Sequence, residues 1–152
     1  MIGAGMRIAF GCDHAASGHR DRIVTCIRGR GHQVIDFGCA GAESCDYPDK
    51  AKAVAEAVAA GEAERGILVC GTGNGMSIVA NKIAGIRAAV CWNRETAVLA
   101  AEHNSANVLC LGARFASVEQ INEWIEAWLQ TPFSVEERHR RRIRKIMALD
   151  RK

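Results

Sequence analysis

The sequence predicts an α/β fold in which a five-stranded parallel sheet carries helices on both faces. Five short apolar runs, rich in Ile, Val and Cys and bounded by Gly, Asn or charge, recur along the chain. Runs of this length that are apolar throughout read as strands buried on both sides. Segments long enough for helices separate them, and the regular alternation of the two implies parallel strands joined by helical crossovers.

Residues 6–12 (MRIAFGC) are the first expected strand. A helix follows over residues 20–30, with Ile23, Val24 and Ile27 on one face and Gly31 placed to end it. Residues 33–37 (QVIDF) are the second strand. Tyr47-Pro48-Asp49 opens the next helix with proline near its first turn, Ala53, Val54, Ala57 and Val58 form its buried stripe, and Gly61 stops it. Residues 66–70 (GILVC), 87–92 (RAAVCW) and 108–111 (VLCL) are the remaining strands, with a helix after each. Ser117 and Gln120 have the spacing of a capping box. The helix they start carries Ile121, Trp124, Ile125, Trp128 and Leu129 on one face, so its tryptophans read as core or interface, and Pro132 ends it. Ser134-Val135-Glu136-Glu137 reads as a second capping box, opening a basic C-terminal helix over residues 134–149. No linker or repeat is visible, so residues 1–152 read as one domain with a short extension at residues 1–5.

Composition excludes several classes. With 49% hydrophobic and 24% charged residues in 152, the chain has the means to bury a core and is not a disordered protein. Its apolar runs fall well short of the ~18 residues of a membrane span. The first residues lack a charged segment followed by an apolar one, so no secretory signal is expected. The net charge of +3 is concentrated: residues 134–152 hold eight Lys/Arg against three Asp/Glu, leaving the rest slightly acidic. Without interleaved aromatics, that tail is not expected to bind nucleic acid. Seven cysteines form no CxxC pair. Cys12, Cys70, Cys91 and Cys110 lie in or at the end of apolar runs and read as reduced packing thiols, which suits the cytoplasm.

Ligands of open parallel sheets bind beyond the carboxyl ends of the strands. After the first run comes Cys12-Asp13-His14, a pair able to exchange protons or hold an anion, or a helix cap beside a surface histidine. After the third comes Cys70-Gly71-Thr72-Gly73-Asn74-Gly75. Alternate glycines let successive N–H groups converge into an anion nest at a helix start. The pattern is neither a dinucleotide fingerprint, which would need Gly where Met76 stands, nor a phosphate loop ending in Gly-Lys-Ser/Thr. Positive backbone dipoles beside a thiol favour the reactive thiolate, so Cys70 is the cysteine with a case for chemistry. Glu102-His103-Asn104 precedes the fifth run, and its histidine could face the same rim or be an ordinary surface or core residue; Arg114 follows that run, near the rim or as an ordinary surface arginine. In the tail, Arg138 and Arg142 share a helix face and suit a phosphate clamp, or a solvated basic surface, while Ile143, Ile146 and Met147 form a separate apolar stripe. Together these groups suggest proton shuttling on a small phosphorylated ligand; no metal cluster or flavin signal is present.

The strings Cys12-Asp13-His14, Asp46-Tyr47-Pro48, Cys70 to Gly75, Ala80-Asn81-Lys82, Gly85-Ile86-Arg87-Ala88, His103-Asn104 and Arg138-His139, in this order, resemble the ribose-5-phosphate isomerase B family, which includes galactose-6-phosphate and allose-6-phosphate isomerases. The resemblance implies a three-layer α/β/α Rossmann-like sandwich. It implies a cytoplasmic enzyme of the pentose phosphate pathway that uses no metal or other cofactor. It also implies a homodimer with shared active sites, sometimes paired into tetramers. The implied reaction is aldose–ketose interconversion through an enediolate. By the same resemblance Cys70 is the base, and Thr72 with the amides of Gly71, Gly73, Asn74 and Gly75 is the anion hole. His103 assists ring opening and Asp13 shuttles hydroxyl protons. His14, Arg114, Arg138 and Arg142 hold phosphate, while Tyr47 and Asn104 position the sugar. Ser105, Trp92 and Asn74 differ from residues common in the family, which bears on whether the sugar has five or six carbons. A non-catalytic phosphosugar-binding module is disfavoured because neither Cys70 nor His103 is replaced.

Overall fold

In a computed structural model, described for residues 5–38 and 45–150, the five apolar runs align as one parallel sheet. Strands β1 (Arg7–Cys12), β2 (Gln33–Asp36), β3 (Arg65–Cys70), β4 (Ala88–Val90) and β5 (Val108–Gly112) stand in the order β2-β1-β3-β5-β4. Phe10 lies beside Asp36 on one side and Ile67 on the other, and Leu68 lies beside Cys110. β1 and β3 each bury five of six residues, which is why these runs are continuously apolar rather than alternating. β4 pairs only with β5 and is only three residues long, shorter than the run at 87–92. β4 ends at Val90, and Trp92 lies beyond it and is exposed.

Helices cover both faces. α1 (Ser17–Gly29), α4 (Arg94–Glu102) and α5 (Val118–Gln130) pack on one, where Ile23, Ile27, Ala97, Ile121, Ile125 and Trp128 meet Ile8, Phe10, Ile67, Val69 and Leu109. α2 (Tyr47–Ala59) and α3 (Asn74–Ala80) pack on the other, where Val54, Val58 and Met76 meet Ala9, Leu68, Cys70 and Cys110. The first helix begins earlier than the apolar stripe alone predicts, because a short 3-10 turn at His14–Ala16 leads into it. Ser117 and Gln120 form the expected capping box, and Trp124 and Trp128 are buried. The second expected box does not form. Helix α6 (Glu137–Met147) starts after Glu136, and Ser134 Oγ instead accepts the Glu136 N–H at 3.1 Å in a local turn.

Strand order decides where a ligand can sit. The chain leaves β1 for the edge strand β2, then passes back over β1 to β3, so α1 and α2 lie on opposite faces. The loops that follow β1 and β3 therefore diverge, opening a crevice above the carboxyl ends of these adjacent strands. α3 and α5 likewise send the loops after β3 and β5 to opposite faces.

Trp128 is 1% exposed, with the Arg65 guanidinium 5.7 Å over its ring. Trp128→Ala is expected to cost about 3–5 kcal/mol, read as a lower urea-unfolding midpoint at unchanged slope.

Candidate active site

The crevice gathers the residues that follow β1, β3 and β5. Cys70 ends β3 and is 5% exposed. Its Sγ accepts the Gly73 N–H at 3.0 Å, a contact that becomes a charge-assisted bond when the sulfur is anionic. Gly73 is the N-cap of α3 at φ +84°, a left-handed conformation in which a side chain is strained, and a Cβ there would also lie 3.2 Å from the Leu111 backbone. Thr72 Oγ1 accepts the Asn74 N–H at 3.2 Å and closes the turn. The Cys70 and Gly71 carbonyls accept the amides of Ala113 and Arg114 at 2.8 and 3.2 Å, tying this loop to the end of β5. Arg114 consequently lies over the loop, its Nε 3.1 Å from where a Cβ of Gly71 would stand. Tyr47 comes from the first turn of α2 and presses on Gly75 so closely that a Cβ there would lie 2.6 Å from its ring. Across the crevice, Asp13 is buried and caps the 3-10 turn, its Oδ1 accepting the Ala15 N–H at 2.9 Å, while His14 is exposed. The capping reading of Asp13 thus holds for one of its oxygens.

Two further thiols are buried in the core. Burial, followed by the charges of Cys70 and Cys91, pushes the Cys110 thiol up. Burial pushes Cys91 up to about 11. Both are locked in as neutral packing groups. Cys26 is half-buried on α1 and hydrogen-bonded to Arg30, whose pKa is raised chiefly by that contact. Cys45 is half-buried and disulfide-bonded, so the reading of the cysteines as reduced thiols does not extend to it; Cys39 lies outside the described residues. Among the described residues no group of three His, Cys, Asp or Glu could hold a metal ion, and no helix is long and apolar enough to cross a membrane.

His103, Asn104, Arg138 and Arg142 are elsewhere. α4 leaves β4 at the carboxyl edge and must return to the start of β5, so its C-cap, His103, lies at the amino edge. The Ser134 N–H donates to the Glu102 carbonyl at 2.9 Å, bringing the start of α6 to the same place. Beyond the end of α6, Asp150 Oδ2 accepts the Gly85 N–H at 2.7 Å, and Arg87 Nη1 meets Met147 Sδ at 3.1 Å. Gly85 and Arg87 lead into β4, so α6 spans the amino edge. The five residues of β5 separate the two edges by about 16 Å. His103 therefore does not face the rim that carries Cys70, which removes the first of the two placements its sequence position left open. The candidate residues of one copy stand in two groups on opposite edges: Asp13, His14, Tyr47, Cys70 to Gly75 and Arg114 on one, His103, Asn104, Arg138 and Arg142 on the other.

A sequence model of the Ribose/Galactose Isomerase family matches residues 8–146. The chain belongs to this family. It is 44% identical over 146 residues to ribose-5-phosphate isomerase B of Escherichia coli K12, covering 96% of this chain and 97% of that one. The fold superposes on ribose-5-phosphate isomerase B of Clostridium thermocellum with a TM-score of 0.91 at 46% identity, covering 95% and 97% of the two chains. It also matches ribose-5-phosphate isomerase B from Mycoplasma genitalium with bound ribulose-5-phosphate, at a TM-score of 0.90, 34% identity and 96% and 97% coverage. The Rossmann-like α/β/α architecture implied by the sequence is thus that of the isomerase family.

His139, part of the string Arg138-His139 in this isomerase sequence, has no role assigned from the sequence. Its ring stacks on His103 with centroids 4.2 Å apart and planes 12° from parallel. It is 5% exposed, and its Nε2 has no hydrogen-bond partner among the described residues. A signal was present: His139 continues the stripe of Ile143, Ile146 and Met147 one turn back, which is a buried position on α6. Burial holds the imidazole below its ordinary pKa of 6.5, assisted by the neighbouring His103 ring and by the charges of Arg138 and Arg142, and opposed by Glu136. Unfolded, the ring binds a proton more readily, so its contribution to stability is present above about pH 6.5 and is lost as pH falls through the lower folded-state value. His139→Phe is accordingly expected to lose less thermal stability than wild type between about pH 7 and pH 5, in melts at matched ionic strength.

Proposed function

We propose that this chain interconverts ribose 5-phosphate and ribulose 5-phosphate as a homodimer in which each active site joins the carboxyl-edge half of one copy to the amino-edge half of the other. The observation that carries the chemistry is the Cys70 sulfur on the Gly73 amide at the mouth of the glycine-rich turn, with Arg114 alongside. The separation of His103, Arg138 and Arg142 from that sulfur supports a second copy. Family membership and the ribulose-5-phosphate bound by the Mycoplasma genitalium relative support the substrate. The enzyme works in the cytoplasm, where its thiol base stays reduced.

His103 assists opening of the furanose ring, and Asp13 exchanges protons with the sugar hydroxyls. The Cys70 thiolate removes the C2 proton of the open aldose, and the electron pair moves onto the C1 oxygen. The resulting enediolate collapses from its O2 side to a C2 carbonyl, while Cys70 returns the proton to C1 and the O2 proton ends on O1. A matched base contributes about 10²–10⁴-fold. Thr72 and the amides of Gly71 to Gly75 hold the developing oxyanion, a donor of this kind being worth about 2.7–4 kcal/mol. His14, Arg114, Arg138 and Arg142 grip the phosphate, which anchors the reacting end without undergoing reaction, and Tyr47 and Asn104 position the chain of hydroxyls.

Cys70→Ala is expected to lower turnover of ribose 5-phosphate by at least about 10²-fold with the fold and ligand binding retained. Retention of wild-type activity would remove the assignment of the base. Allose 6-phosphate and galactose 6-phosphate belong in the same assay, because a strong preference for either overturns the five-carbon assignment. Sharing of the site is tested by mixing. Cys70→Ala and His103→Ala, each inactive alone, should recover roughly a quarter of wild-type activity after unfolding and refolding together, since heterodimers carry one site with both residues intact. No recovery from a mixture shown to contain heterodimers would mean that each copy completes its own site.

A further inference from the structure

His139 belongs to no role described above, although its ring stacks on that of His103. The two rings are nearly parallel and in full contact, at 4.2 Å and 12°. Two imidazolium rings at that distance repel, which favours a neutral His139 ring. The charged groups acting on His139 are His103 from the end of α4, Arg138 and Arg142 from α6, and Glu136 just ahead of α6. Three of these are cationic or able to become so, and the ring is buried; all of this favours its neutral form. A neutral ring with an unpartnered Nε2 acts through its flat face and not through that nitrogen.

We propose that His139 is a positioning residue for His103: its ring forms a fixed floor that sets the plane in which His103 meets the furanose oxygen. The proposal rests on the isomerase reading given above. The stack matters because His103 is a helix C-cap, a place where side chains are otherwise loosely held, and the next residue but one, Ser105, is in a left-handed conformation at φ +48°. Two hydrogen bonds independent of His139 flank α6, from the Ser134 N–H to the Glu102 carbonyl and from the Gly85 N–H to Asp150 Oδ2, and Arg87 meets Met147, so α6 keeps three attachments when His139 is replaced.

Two reactions separate positioning from general damage. Net conversion of ribose 5-phosphate requires ring opening. Exchange of a C1 hydrogen of ribulose 5-phosphate in deuterated water uses Cys70 but bypasses ring opening, because that ketose has its C5 oxygen esterified and stays open. His139→Leu and His139→Gln remove the aromatic floor, and His139→Phe keeps it. The expected result is that Leu or Gln lowers kcat on ribose 5-phosphate about tenfold with KM and the exchange rate within about twofold, whereas Phe stays within about threefold of wild type. Equal loss of both reactions, no loss with either Leu or Gln, or a Phe variant as slow as these would overturn the proposal. Circular dichroism and thermal melts select which of the two truncations is read, and an unfolded Phe variant also counts against a floor that any flat ring can supply. Failure of the isomerase reading itself looks different: wild type then neither converts ribose 5-phosphate nor exchanges the C1 hydrogen.

Discussion

A parallel sheet sends every strand in the same direction, and the rest of this molecule follows from that constraint. Whatever follows a strand is delivered to one edge, and whatever precedes a strand is delivered to the other. Asp13, Cys70 and Arg114 follow β1, β3 and β5 and so converge. His103 precedes β5, and α6 crosses the same amino edge, so the histidine and the two arginines converge with each other and not with the thiol. Sequence motifs that read as one active site are thus divided by the height of the sheet. The homodimer proposed above brings a carboxyl edge against an amino edge, and under that proposal assembly is a condition of chemistry.

Within the carboxyl-edge half, backbone geometry rather than charge organises the site. Cys70 has no cationic side chain bonded to its sulfur in the described structure; what reaches it is the Gly73 amide. The left-handed Gly73 turns that amide inward, and Gly75 lets the Tyr47 ring close over the loop. The loop is in turn pinned to β5 through Ala113 and Arg114, so the arginine and the thiol are positioned by one pair of main-chain bonds. Donors fixed in this way need no reorganisation when charge develops on a substrate oxygen.

The amino-edge half is organised by charge and by contacts far apart in the sequence. Residues 134–152 carry the chain's excess positive charge. Some of it is internally compensated, since Arg138 pairs with Glu136 and Arg144 with Glu137. Arg142, Arg140 and Arg141 have no ion pair among the described residues, and Arg140 lies over Phe133. A helix of this composition would not pack through its arginines. It is held instead by His139 on His103, by Met147 on Arg87 and by the bond from Gly85 to Asp150.

The sequence by itself determined the fold class, because a strand buried on both faces has to be apolar at every position and so shows itself as a run. It determined the glycine-rich turn and its thiol, because tight turns restrict residue type locally. The tryptophans of α5 and the capping box at Ser117 were legible for the same local reason. The start of α6 was not, because Ser134 is held by Glu102 from another helix and its hydroxyl turns to a local amide instead of capping. The edge on which each candidate residue stands was decided only by tertiary structure. Strand direction and order are global properties, and no local spacing distinguishes a histidine that ends a helix at one edge from one that begins a loop at the other. The stack of His139 on His103 has the same origin: it joins two helices that become neighbours only after the sheet has set the path of the chain between them.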